Sequence, residues 1–273
     1  MARGFWYVYG IVPANAELAG APPGVEDAPV LLERSADGSI AAVVSVVPHD
    51  DYAPTTLESR TGDVEWLGPR AMAHDRVLSW VSDRAAVVPL PMFTLFSGAD
   101  AVRGMLGERS TSIRSSLARI ASHREYALRV YRVDAEVLRN IGALSPRLRE
   151  LERSAEDVSP GQRYLLQRKL DSERKHELRG VSQRLAAEIF DALAEHAEER
   201  SRAPIPQGAS DVSRGIQILN AAFLVARDRY DAFQSRLGAL VAEHSPHGFR
   251  FDFTGPWPAY HFVSDAVEHT ADA

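Results

Sequence analysis

The stretch Phe249-Arg250-Phe251-Asp252-Phe253-Thr254-Gly255-Pro256-Trp257-Pro258-Ala259-Tyr260-His261-Phe262-Val263 decides how the rest of the chain is read. Phe249, Phe251 and Phe253 alternate with Arg250 and Asp252, the period of two that sets every ring on one face of a half-buried strand. Gly255-Pro256-Trp257-Pro258 is expected to stop that strand. Glycine accepts a positive φ, and each proline has a fixed φ and no N–H, so regular pairing cannot continue. Trp257, held between two prolines, carries an indole best used packed against a neighbouring element. The run therefore pins a C-terminal strand to the domain it closes.

Working outward, the totals describe an ordinary globular protein. A chain of 273 residues with 45% hydrophobic content can hold one large domain or two modest ones. The net charge of −6 gives no global basic field, which disfavours nucleic-acid and anionic-membrane partners. There is no cysteine, which removes disulfides, thiolate catalysis and cysteine-held zinc or iron–sulfur sites. No run approaches the ~20 apolar residues of a spanning helix, and no basic segment leads into an apolar core at the N-terminus. A cytoplasmic protein is expected. Lys169 and Lys175 are the only lysines, an arginine bias that matches a GC-rich genome and is not an RNA-binding signal.

The pattern predicts two α+β domains. Residues 5–12 read as a central strand, followed by a long loop around Gly20–Pro29. Asp37-Gly38 joins strands at 30–32 and 40–47 as a hairpin. Asp63 is placed to cap a helix carrying Val64, Leu67, Ala71, His74, Leu78 and Val81. Val87–Phe93 reads as a strand that its prolines demote to an edge. This gives an N-terminal α+β domain over 1–97, with a bridging helix at 98–123. From 124 the order is strand, helix, strand, strand, helix, strand, the ferredoxin-like βαββαβ pattern, extending to 263. Helical character spans 134–156. Ser159-Pro160-Gly161-Gln162 is a capping box that launches a helix over 160–200, roughly 60 Å at the standard rise, which either breaks near Gly180 or projects. Its middle, Lys169–Arg184, is charged enough for a solvated arm. A short strand is expected at 203–206, a central one at 215–226 and a helix capped by Asp228. Residues 264–273 read as a disordered tail.

Each candidate for chemistry has a plainer reading that outweighs it. His49-Asp50-Asp51 follows Pro48 with no second histidine at ligand spacing, so a polar turn is favoured over a metal or acid–base site. His74, His176 and His196 lie on helices without a His-Glu-x-x-His arrangement and read as surface or boundary residues. The serines of 110–116 lack a nucleophile-elbow context. Gly98, Gly104 and Gly107 match neither phosphate-cradling fingerprint. Phe223, Tyr126 and the 249–253 phenylalanines resemble the aromatic platform of an RNA-binding sheet, but rings at strand spacing in an acidic protein are more often core. No catalytic, cofactor or metal residue is assigned. The expectation is a non-enzymatic binding or assembly protein.

Three stretches carry a resemblance. Thr254–Val263 is similar to the C-terminal signature of the gas vesicle accessory proteins GvpF and GvpL. Phe5-Trp6-Tyr7-Val8-Tyr9-Gly10-Ile11 resembles that family's first strand, and Leu219-Asn220-Ala221-Ala222-Phe223-Leu224-Val225 its penultimate one. The resemblance implies an α+β domain followed by a modified ferredoxin-like domain with helical elements. It also implies location at the gas vesicle, and chaperone-like binding of the hydrophobic shell protein GvpA alongside other gas vesicle accessory proteins. Gly255, Pro256, Trp257, Pro258, Tyr260 and Phe262 become signature residues that are structural and a candidate partner surface. Pro89, Leu90, Pro91, Met92 and Phe93 become a candidate partner edge. There the family commonly carries a Pro-Leu-Arg-Phe-Gly-Thr-like run, and this chain has lost both the arginine and the glycine. A scaffold that nucleates the shell or links accessory proteins is the alternative, with an RNA-binding protein or a small-molecule enzyme on the same fold behind it.

Overall fold

An apolar run with no polar face must be covered on both sides, and β1 (Gly4–Pro13) lies inside its sheet with Tyr7–Val12 buried. The computed structural model describes residues 4–154, 160–205, 210–211 and 214–263. β2 (Leu31–Arg34) and β3 (Ile40–Pro48) form the expected hairpin, with Gly38 at φ 69° in its turn. The short helices α1 (His49–Tyr52) and α2 (Pro54–Arg60) lead to α3 (Val64–Ser82). Asp63 caps α3 by accepting from the N–H groups of Glu65 and Trp66. β4 (Val88–Pro89), β5 (Leu95–Phe96), α4 (Ala99–Glu108) and α5 (Ser110–Ile120) follow. The strand order is β2-β3-β1-β4, with β5 also paired to β1. α3 packs on β1, α4 on β2 and β3, and α5 on β1 and β4.

The second sheet is built from β6 (His123–Arg132), β7 (Glu199–Arg202), β8 (Ser210–Asp211), β9 (Gly215–Ala226) and β10 (Phe249–Trp257). Between β6 and β7 come α6 (Asp134–Leu144), α7 (Pro146–Ser154) and α8 (Pro160–Ala194), and between β9 and β10 comes α9 (Tyr230–His244). The order β10-β6-β9-β7, with β8 also on β9, is compatible with the ferredoxin-like arrangement. Its core joins Leu128, Val130 and Phe223 of the strands to Ile189 of α8, Phe233 of α9 and Phe249.

Two compact units result. The chain passes from the first to the second between Glu125 and Tyr126 and returns to the first between Gly255 and Pro256. This division differs from the expected one at both ends. Residues 98–123 do not bridge: they form two helices, broken at Arg109 (φ −110°, ψ 8°), whose buried Val102, Leu106, Ile113 and Leu117 belong to the first unit. Residues 256–263 close the first unit rather than the second. The expected tail at 264–273 and the capping serine Ser159 lie outside the described residues.

Several local expectations change for identifiable reasons. β10 runs on through Gly255 and Pro256 to Trp257, which an edge strand permits because a proline there withholds no needed hydrogen bond. The 87–93 strand shrinks to Val88–Pro89, since Pro91 and a left-handed Phe93 (φ 66°) turn the chain away before it resumes at β5. Pro146 splits the 134–156 helix, holding Ser145 in extended backbone. α8 neither breaks at Gly180 nor stands free: it ends at Ala194 and buries Leu178, Val181, Leu185 and Ile189. The strand expected at 203–206 lies at Glu199–Arg202, ahead of prolines that cannot donate. Asp228 falls in a short 3₁₀ turn and does not cap α9. On α3, Val64 is exposed while Trp66, Ala73 and Val77 join His74, Leu78 and Val81 inside.

The 13–29 loop is tied down by a buried hydroxyl. Tyr9 Oη accepts the Val25 N–H at 2.8 Å and donates to Ser45 Oγ at 3.0 Å, while Ser45 donates to the Pro29 carbonyl. Gly24 is required beneath it, because a Cβ there would lie 2.2 Å from the same oxygen. Replacing Tyr9→Phe leaves the Val25 N–H buried without its acceptor, and chemical denaturation should show a loss of about 2 kcal/mol. A loss below a few tenths would show that the loop is not held this way.

Candidate functional site

α3 and β1 meet the two stretches singled out from sequence at one buried imidazole. His74 lies on the inner face of α3, 5% exposed, with Nδ1 2.8 Å from Tyr7 Oη. Burial lowers its pKa to about 4, opposed in part by a hydrogen bond with the Leu90 backbone, so the ring is neutral near pH 7. Tyr7 Oη also accepts the Phe93 N–H at 3.3 Å, and burial pushes its own pKa well upward. On the other side, Tyr260 Oη lies 3.4 Å from His74 Nε2. The 89–93 stretch and the 255–262 stretch are thereby brought together through Tyr7 and His74. Sequence reasoning reads His74 as a surface or boundary residue; it is buried, and its register with Leu78 and Val81 is the signal that it faces inward.

The signature stretch is fastened by a second buried group. Glu125, 2% exposed, accepts the His261 backbone N–H at 3.0 Å and faces His261 Nδ1 at 2.6 Å. That hydrogen bond raises the pKa of His261 against the opposing effect of burial. Arg119 donates to the Phe262 carbonyl, and Phe262, Val263, Pro258 and Ala259 are buried. Gly255 adopts φ 126° within β10, a region that favours glycine. Trp257 and Ala259 line a crevice with Ser82, Val87, Ile120 and Glu125. The segment is held, yet Trp257 and Tyr260 remain 37% and 38% exposed. Neither Glu125 nor His261 was singled out from sequence, since a hydrogen-bonded pair 136 residues apart leaves no local pattern.

The Pro89–Phe93 stretch sits beside β1 with Pro89 and Leu90 buried and Pro91 exposed. Pro89 and Pro91 have no N–H, and that of Leu90 is bonded to the Tyr9 carbonyl. An incoming strand would find no donor at 89–91. What this stretch offers is side chain: Met92 and Phe93 are partly exposed, and the Phe93 ring stacks on Trp66 at 5.6 Å and lies within 6.3 Å of Tyr7 and Tyr52.

Comparison with known proteins places this arrangement. The family model described as "Gas vesicle synthesis protein GvpL/GvpF" matches residues 5–264. The chain belongs to the GvpL/GvpF family. It is 32% identical to gas vesicle protein L of a Streptomyces species, with 96% of this chain and 94% of that one covered. It is 30% identical to gas vesicle protein L1 of Halobacterium salinarum, covering 95% and 90%. The crystal structure of GvpF from Anabaena sp. superposes with a TM-score of 0.67 at 16% identity over 95% of this chain and 96% of that chain. That of GvpF from Microcystis aeruginosa gives 0.64 at 17%, over 95% and 98%. These two likenesses establish the fold. None of the described helices is long and apolar enough to cross a membrane.

Phe93 adopts φ 66°, a left-handed backbone that is unusual for a bulky residue. A left-handed non-glycine residue costs roughly 1–2 kcal/mol, offset here by the aromatic contacts. Truncation to alanine keeps that cost and loses the ring, so Phe93→Gly should be the more stable of the two variants by about 1 kcal/mol, reversing the usual order. Thermal melts in which the alanine variant equals or exceeds the glycine variant would contradict the assigned backbone.

The Glu125–His261 pair makes a prediction of opposite sign to that of His74. A histidine whose pKa is raised on folding contributes stability that is fully present below its unfolded value, about 6.5, and is lost as pH rises through the folded value. The Tm advantage of the wild type over His261→Gln should therefore be largest in mild acid and shrink in alkali. For His74, the lowered pKa means that stability falls as pH drops from about 6.5 towards 4, by at most ~3 kcal/mol.

Proposed function

We propose that this GvpL/GvpF-family protein supports vesicle formation by binding the small hydrophobic shell protein GvpA before it assembles, in a chaperone-like role. Membership of a gas vesicle accessory family across residues 5–264 carries this reading. A subunit built to polymerise exposes apolar surface or strand edges while free, and such surfaces aggregate in water unless covered.

The contact surface proposed is that of Trp257 and Tyr260 on the signature segment, with the partly exposed Met92 and Phe93 as a further side-chain surface on the same unit. Interfaces concentrate binding in aromatic anchors that are already fixed before the partner arrives. Trp257 and Tyr260 match that description, being half-exposed on a segment fastened by Glu125, Arg119 and buried Phe262. Side-chain docking is favoured over strand lending at 89–93, because that backbone has no N–H to give at 89–91. Placement at the gas vesicle follows from the same reading.

Co-expression with GvpA followed by size exclusion tests it. The wild type should keep the shell protein soluble and co-elute with it, and the double variant Trp257→Ala/Tyr260→Ala should lose at least about tenfold in affinity, the scale of one or two hot spots. Co-elution unchanged by the double variant would move the interface elsewhere. Insoluble GvpA with the wild type would favour a scaffold that acts only with other accessory proteins.

A further inference from the structure

Two helices of the second unit bring together a donor set that no other described side chain engages. Glu188 lies on the α8 surface that faces α9, and Glu243 and His244 form the last turn of α9. One ligand atom from each lies within 4.8 Å of the other two. His244 is 6% exposed, and neither of its ring nitrogens has a hydrogen-bond partner. A buried polar group left in that state costs free energy. Its Nε2 points towards Glu243, 3.9 Å from Oε2, too far for a hydrogen bond. Glu188 and Glu243 have no arginine or lysine partner among the described residues.

From this geometry we infer that Glu188, Glu243 and His244 form a binding site for a divalent transition-metal cation, with Zn²⁺ the best match. One imidazole nitrogen and two carboxylate oxygens suit zinc, whereas calcium and magnesium prefer all-oxygen shells. The two carboxylates neutralise the ion and the cation relieves their mutual repulsion. Ligands of one zinc ion stand roughly 3.4 Å apart at bonds near 2.1 Å, so small rotations of two exposed glutamate side chains complete the set, and water supplies the fourth position. An ion here ties the end of α9 to α8 and acts as a structural staple. The motif was not visible in sequence, because Glu188 is 55 residues from Glu243 and the Glu-His dipeptide alone is common.

The test is calorimetric titration of the chelator-stripped full-length protein with zinc chloride, alongside ¹⁵N spectra of its histidine rings. Binding of one equivalent, with a shift of the His244 ring nitrogen, is expected. Glu188→Gln and Glu243→Gln remove charge from exposed positions without disturbing the core, and each should weaken binding by about tenfold or more. Glu58→Gln, in the other unit, should leave it unchanged. Absence of binding at millimolar zinc, or binding indifferent to both glutamine substitutions with the His244 ring unperturbed, would overturn the assignment.

Discussion

A carboxylate with 2% of its surface in water must be met by donors, and Glu125 is met by the backbone and ring of His261. Removing the His261 donors would leave the buried Glu125 carboxyl unpaired, which costs more than a satisfied contact contributes. The consequence is topological. After β10 the chain returns to the unit in which it began, so the first unit is made from two distant pieces of sequence. The signature residues serve that return: Gly255 supplies a positive φ within β10, Pro258 and Phe262 are buried, and Trp257 and Tyr260 are left partly in water. A segment fixed on one side and aromatic on the other is suited to contact, which is why the proposed interface rests on it.

Polar groups, more than apolar ones, distinguish the first unit. Its core of Tyr7, Tyr9 and Tyr52 contains three hydroxyls, and each is used. Tyr9 secures the 13–29 loop, Tyr7 joins His74 to the Phe93 backbone, and Tyr52 donates to Glu26 and accepts from Arg70. Arg70 in turn lies over the Trp66 ring at 4.1 Å. Satisfied networks of this kind favour one packing over its alternatives. They also explain how Phe93 is kept left-handed, since its N–H and ring are both engaged.

Elements whose cause is local were legible in the sequence. The 40–47 run and Asp37-Gly38 gave the hairpin, Asp63 gave the start of α3, and the apolar 215–226 run gave a central strand. The family emerged from Gly255-Pro256-Trp257-Pro258 and two apolar strands. Features whose cause is distant were not legible. Nothing near Pro256 indicates that the strand continues through it until β10 is known to be an edge. Nothing near Glu125 announces His261, and the helices at 99–120 read as a bridge because their apolar faces do not name the sheet they cover. The same limit hid the cluster of Glu188, Glu243 and His244.

Residues 256–263 are fastened to the first unit through Glu125. Amide hydrogen exchange on the full-length protein, wild type against Glu125→Gln, tests it most directly. Faster exchange is expected in peptides spanning 256–263 and in the β1 and α3 peptides around Tyr7 and His74, with 126–255 unaltered. Exchange that accelerates throughout 126–255, or a 256–263 segment whose protection does not depend on Glu125, would contradict it.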